Sequence, residues 1–337
     1  MLLRPADTRE PPVATIAGVP MTTWRLVALA AGLVVLAIVP FVTKNFYIFQ
    51  ITLAIIYAIA ILGLNLLTGF NGQFSLGHSA FYAIGAYTAA IMMENLGIGY
   101  VWTIPAAAIV CFVFGFLFGL PALRLESIYL ALATFALAIA VPQGLKSSVV
   151  EHWTGGVQGI VIIKPDAPFG LPLNSDQWLY IFAVAVAIVM YVCAANLVKS
   201  RTGRALIAIR DHPVAASAMG INVSLYKSLT FGVSALYTGV AGALGAIAIA
   251  FVAPDSFTFS LAVALFVGLV VGGVASIPGT IVGGFFVLFV PNIAEHFSKG
   301  LAGAVYGVIL LLIIFVMPMG AAGLARLITG KLMKQGR

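Results

Sequence analysis

Residues 199–227, KSRTGRALIAIRDHPVAASAMGINVSLYK, hold five of the seventeen basic side chains of the chain, between two long apolar stretches. The 337 residues as a whole are 62% hydrophobic and only 8% charged, with a mean hydropathy of +1.13. A charged island in such a setting cannot sit in hydrocarbon, so it faces an aqueous compartment. The apolar runs around it recur at the ~20 residues that cross a bilayer as helix. A soluble fold of this length would need far more polar surface. The sequence therefore predicts an all-α, polytopic transmembrane helical bundle.

Apolar runs between polar or Gly/Pro breaks give about ten spans: 24–43, 47–67, 75–93, 101–120, 128–145, 178–198, 228–251, 260–273, 281–297 and 302–325, the eighth and ninth short. The net charge of +7 is spread between and after these spans, which suits membrane orientation rather than nucleic acid. With a cytoplasmic N-terminus, thirteen Lys and Arg fall inside and four (Lys44, Lys146, Lys164, Lys299) outside. That bias predicts both termini in the cytoplasm.

Residues 1–23, with Pro5, Pro11, Pro12 and Pro20, read as a flexible cytoplasmic tail, 24–325 as the membrane domain and 326–337 as a basic cytoplasmic tail. The first apolar run is longer than a signal-peptide core and reads as a retained helix. The largest outside connection, 146–177, is dense in Gly and Pro and reads as an ordered loop of turns and very short helices. It could cap the helix ends or receive an extracytoplasmic partner.

Over residues 63–80, where spans two and three meet, Asn65, Thr68, Asn71, Gln73, Ser75, His78 and Ser79 alternate with apolar residues and four glycines, where an ordinary loop would be charged. Such backbone survives at membrane depth only inside protein or along a watery cavity. We read the segment as a helix interruption and its seven polar residues as translocation-path candidates. Residues 268–284, GLVVGGVASIPGTIVGG, have the same character in the other half. The block of spans two to five begins outside and that of spans seven to ten inside, so an inverted repeat with interruptions in corresponding positions is expected. Isolated glycines such as Gly115 and Gly119 are better read as close-packing positions.

Some chemistry is missing. The sequence has no GxxxxGK[ST] phosphate loop, no HExxH and no GxSxG, and acids such as Glu94, Glu126, Asp255 and Glu295 fall at span ends. No embedded carboxylate pair offers a proton relay, which leaves the energy source to another subunit. Cys111 and Cys193 fall within spans and read as packing residues. His78 reads as a hydrogen-bonding helix residue, and no metal site is expected.

In the 199–227 loop, Thr202 is the expected N-cap of a helix carrying Leu206, Ile209 and Arg210 at helical spacing. Pro213 ends or restarts that helix, and Gly220 closes a second turn of small residues. The expected product is a short amphipathic helix along the membrane that fits a groove on a partner.

This loop, with LTFGVSALYTGVAGALGA at 229–246, resembles the coupling region of ABC importer permeases of the branched-chain amino acid family, LivM-like in particular. The stretches LTGFNGQFSLGHSAFYAIGAYTAA (67–90), YLALATFALA (129–138), TGGVQGI (154–160) and FVAPDSFTFSLAV (251–263), and the 272–284 glycines, match in order, covering roughly residues 47 to 325. The resemblance implies a non-catalytic permease in a bacterial inner membrane. Its partners would be a second, LivH-like permease, two cytoplasmic ATP-binding subunits and a periplasmic solute-binding protein. ATP and Mg would be bound by the ATPases and no cofactor by this chain. Residues 203–219 would be the coupling helix, with Arg201, Gly203, Arg204, Arg210, Asp211, Ala215, Ala216 and Gly220 at the ATPase contact. Cargo would be branched-chain amino acids, though the same architecture also serves urea, short-chain amides and aromatic acids. A passive channel for a small neutral solute is the competing reading from another class, and the basic loop argues against it.

Overall fold

The computed structural model describes residues 15–16, 19–20, 36, 38–122, 127–168, 172–297, 302–317 and 320–324. Most of the first expected span and of both tails, with Arg124, Glu126 and Lys299, lies outside the described residues. Within them, β1 (Thr15–Ile16) and β2 (Val19–Pro20) pair antiparallel, and residues 38–42 are helical.

From there the chain is helix after helix, because long runs of Leu, Ile, Val and Ala leave the backbone no partner in lipid but itself. Helix α1 (Asn45–Leu64) runs without interruption into a π-helical turn, Asn65–Phe70. Then come α2 (His78–Glu94), α3 (Tyr100–Ala122) and α4 (Ser127–Leu145). The 146–177 connection holds one turn of helix, α5 (Glu151–Thr154), and strand β3 (Ile160–Val161). Helix α6 (Ser175–Lys199) leads to α7 (Arg201–Asp211) and α8 (Pro213–Ala218). Helix α9 (Val223–Ile249) is followed by strand β4 (Phe251–Val252) and a 3₁₀ turn, Pro254–Phe257. The chain closes with α10 (Phe259–Gly272), α11 (Gly279–Phe297) and α12 (Ala302–Val316).

Five of these helices are long and apolar enough to cross a membrane: α1 with its π turn, α3, α4, α6 and α9. The 14 residues of α10 rise only about 21 Å, short of the ~30 Å hydrocarbon layer. The chain is a polytopic helical membrane protein, as the sequence predicts.

Helices α1 and α9 are the most enclosed and pack on each other at the centre. A shift of five spans carries α1 to α9, α2 to α10 and α3 to α11, and the packing pairs exchange with it. Helix α9 packs on α2 and α3 as α1 packs on α10 and α11, and the α2–α3 contact is matched by α10–α11. The packing thus follows the expected repeat, with one correction to the interruptions. The segment after α1 corresponds to the one after α9, residues 250–258, and not to 273–278; 65–70 and 273–278 instead meet in space.

Lipid is as apolar as leucine, so these contacts depend on close approach rather than on the hydrophobic effect. Glycine supplies it. A Cβ on Gly63 would lie 2.7 Å from the Ser234 carbonyl oxygen, and one on Gly85 would meet the backbone of Gly239. Gly119 lies against Ser228 on α9, where a Cβ would stand 3.0 Å from Cα, so the α3 glycines are packing positions. Cys111 is buried on the same face, its thiol 3.4 Å from the Phe81 carbonyl. Cys193 is exposed on α6, where the sequence predicts a packing residue.

At the end away from the basic loop, β3 and β4 pair antiparallel, Ile160 opposite Val252. Lys146 pairs with Asp255 across the same region. The 146–177 connection is thereby tied to the segment after α9, a ladder that composition alone does not announce.

Candidate functional site

The opposite end of the bundle gathers three segments: the π turn after α1, the α10–α11 connection, and the α7–α8 loop. A single residue separates α6 from α7. The N-cap of α7 is Ser200, not the expected Thr202: the Ser200 Oγ accepts the Gly203 N–H at 3.3 Å and donates to the Leu197 carbonyl at 2.6 Å. Helical geometry starts at Arg201, so the residue able to reach the third amide is Ser200. Gly203, Ala205, Leu206 and Ile209 face inward, while Arg201, Arg204 and Arg210 are exposed.

Backbone extension at His212 (φ −157°) breaks the helix, and Pro213 opens α8 at its first position, where its missing N–H costs nothing. Only Ala216 of α8 is buried; Asp211, Ala215 and Gly220 are exposed. The Ile221 amide donates to the Ala216 carbonyl at 3.1 Å, and Gly220 adopts φ +83°, which terminates the helix. Val214 and Met219, 71% and 83% exposed, stand on this surface.

The interruption is a network rather than a slack loop. Asn65 is fully buried; its Nδ2 donates to the Ser276 carbonyl and its Oδ1 accepts the Ala275 N–H, both at 2.9 Å. Ala275 sits at φ +58°, a left-handed conformation costing a non-glycine residue about 1–2 kcal/mol. Asn65 holds it there. Gly69 makes the approach feasible, since a Cβ would stand 2.6 Å from the Ala275 nitrogen.

Further along, Thr68 donates to the Gln73 carbonyl at 3.0 Å. Ser75 Oγ lies 3.1 Å from His78 Nδ1, and His78 Nε2 lies 2.7 Å from Ser234 Oγ. Ser234 spends its one proton on the Gly63 carbonyl at 2.6 Å. The imidazole proton is therefore on Nε2, and Nδ1 accepts from Ser75. The Leu76 amide donates to Thr134 Oγ1 on α4 at 2.9 Å.

Of the seven polar residues expected here, Asn65, Thr68, Ser75 and His78 thus have protein partners. Asn71 Nδ2 and Oδ1, Gln73 Oε1 and Ser79 Oγ are buried with none. A buried amide without a partner is costly unless a polar guest supplies one. Arg210 joins the two regions, donating from Nη1 to the Gly69 carbonyl at 3.0 Å. Among the described residues no three His, Cys, Asp or Glu side chains cluster to hold a metal.

Sequence reasoning missed Ser234, Ala275, Ser276 and the reach of Arg210 to Gly69. One signal was present: Thr230, Ser234 and Thr238 recur every fourth residue through an apolar run, a polar stripe along one face of α9.

A family described as "Branched-chain amino acid transport system / permease component" matches residues 46–317. The chain is 32% identical over 271 residues to the high-affinity branched-chain amino acid transport system permease protein LivM of Salmonella typhimurium, covering 74% of this chain and 63% of that protein. To LivM of Escherichia coli K12 it is 33% identical over 269 residues, covering 73% and 63%. To LivH of Escherichia coli K12 it is 26% identical over 298 residues, covering 81% and 93%. The matched region thus spans less than two thirds of the length of either LivM relative. No solved structure matches the chain.

Proposed function

Because this chain belongs to the family of branched-chain amino acid transport system permease components, we propose that it is the membrane subunit of an ATP-driven importer. It carries branched-chain amino acids or a related small polar solute, pairs with a second permease of the LivH type, and receives solute from a binding protein at the 146–177 end. Two ATP-binding subunits supply the energy with their own ATP and Mg. The α7–α8 loop faces the cytoplasm, a reading the charge bias supports, with both termini on that side of a bacterial inner membrane.

The observation that carries this reading is the α7–α8 loop itself. It is capped at Ser200, anchored by the inner face of α7 and closed at Gly220, yet it leaves α8 standing out with Val214 and Met219 exposed. A rigid, partly apolar knob at a water-facing end fits a protein groove. A passive pore has no use for it. Asn71, Gln73 and Ser79, whose buried polar atoms include ones without protein partners, line the solute path at this end, with Thr68 beside them.

Co-expression with neighbouring permease and ATPase genes, followed by purification through a tag on this chain, tests the reading. Recovery of one further permease and two ATPase copies is expected. A stable assembly without ATPase would overturn it.

A further inference from the structure

We propose that Arg210 is a positioning residue of the transport cycle, passing movement of the α7–α8 loop to the two connections that close this end of the bundle. The inference rests on the reading of that loop as the ATPase-coupling element.

The three arginines of α7 are not equivalent. All three are exposed, but Arg204 bonds only to the nearby Lys199 carbonyl at 3.3 Å. Arg210 reaches a carbonyl 141 residues away in sequence. That carbonyl is one the chain leaves without a helical donor. The amide four residues on, Gln73 N–H, bonds instead to the Leu67 carbonyl at 3.1 Å, because the backbone leaves helical geometry after the π turn. A guanidinium from another element fills the place.

The strut is stiff. Asp211 Oδ1 accepts from Arg210 Nε and Nη2, each at 2.9 Å, which fixes the plane of the guanidinium. Its aliphatic stem passes Gly72, which adopts φ +72° and where a Cβ would stand 2.8 Å from Arg210 Cγ. Beyond Gly69, the same π turn carries Asn65, whose two bonds grip Ala275 and Ser276. A chain of directed bonds therefore runs from α7 through the π turn to the α10–α11 connection. It crosses the point where α1 departs from α geometry, where a helix changes shape most readily.

The test uses the full complex, with Cys193→Ser and a single reporter cysteine at the exposed Val274 (Val274→Cys) carrying an environment-sensitive maleimide. The fluorescence change on adding ATP and Mg is read beside the rate of ATP hydrolysis, so no cargo need be known. With Arg210 intact, ATP is expected to change the signal. In Arg210→Ala, the signal change per ATP hydrolysed is expected to fall about fivefold, the scale on which single residues tune coupling. Arg210→Lys should recover part of the change, and Arg210→Gln makes the same comparison if the alanine variant assembles poorly. A full signal change in both Arg210→Ala and Arg210→Gln would overturn the relay while leaving the coupling reading intact. No ATP-driven change with Arg210 present would overturn both.

Discussion

His78 Nε2 lies 2.7 Å from Ser234 Oγ, and that hydroxyl donates to the Gly63 carbonyl at 2.6 Å. One imidazole thus ties the start of α2 to both central helices. Replacing His78 by Ala leaves Ser75 and Ser234 short of partners and is expected to cost about 1–3 kcal/mol, read as a lower midpoint of thermal unfolding in detergent. His78→Ala and Ser234→Ala together should cost less than the sum of the two, because they share one bond. Strict additivity would show that the bond contributes nothing.

Glycine packing separates by position. Gly85→Ala drives a methyl group into the Gly239 backbone and is expected to destabilise the fold by more than about 2 kcal/mol. Gly144 lies in α4, where an added methyl group would find nothing within 4 Å, so Gly144→Ala should be neutral within about 0.5 kcal/mol. Equal yields and unfolding midpoints for the two variants would contradict the close α2–α9 contact.

Much of this bundle is legible in the sequence because bilayer thickness fixes helix length. The expected spans 101–120, 128–145 and 178–198 lie within three residues of α3, α4 and α6. Helix α9 begins five residues before its expected start, because Asn222 caps it by accepting the Leu225 amide at 3.0 Å, and a polar first turn hides the boundary from an apolar count. The break at Pro213 and the closure at Gly220 were legible because both residues constrain their own backbone. The pairing of the interruptions was not. Hydropathy records that 65–79 and 268–284 are unusual, but nothing local in either says that Asn65 bonds to a backbone 210 residues away.

Asn65 and Ala275 give a paired test. Asn65→Leu removes both bonds across the connection and releases Ala275 from its left-handed conformation. Ala275→Gly removes the strain at its source and is expected to stabilise by about 1 kcal/mol. In combination, the glycine should lessen the loss from Asn65→Leu. A destabilising Ala275→Gly would contradict the assignment of strain to this residue.

Solute access is testable by chemistry. In the assembled complex, Asn71→Cys and Gln73→Cys are expected to react with a water-soluble thiol reagent in at least one nucleotide state. Asn65→Cys, at a position with no exposed surface, should stay protected. Protection of positions 71 and 73 in every state would remove them from the path.

The coupling surface has its own signature. Arg204→Glu reverses an exposed charge without disturbing the inner face of α7, and a bulky residue at Gly220 opposes its φ of +83°. Both variants should insert normally and lose at least about tenfold of solute-stimulated ATP hydrolysis. Unchanged stimulation in both would place the ATPase contact elsewhere.

The most direct measurement is uptake of radiolabelled leucine into liposomes containing the purified complex, with ATP supplied on the side of the α7–α8 loop and binding protein on the other. The account predicts accumulation above the external concentration that stops without ATP. Entry that merely equilibrates, at the same rate with and without ATP, would contradict it and make the chain a passive channel.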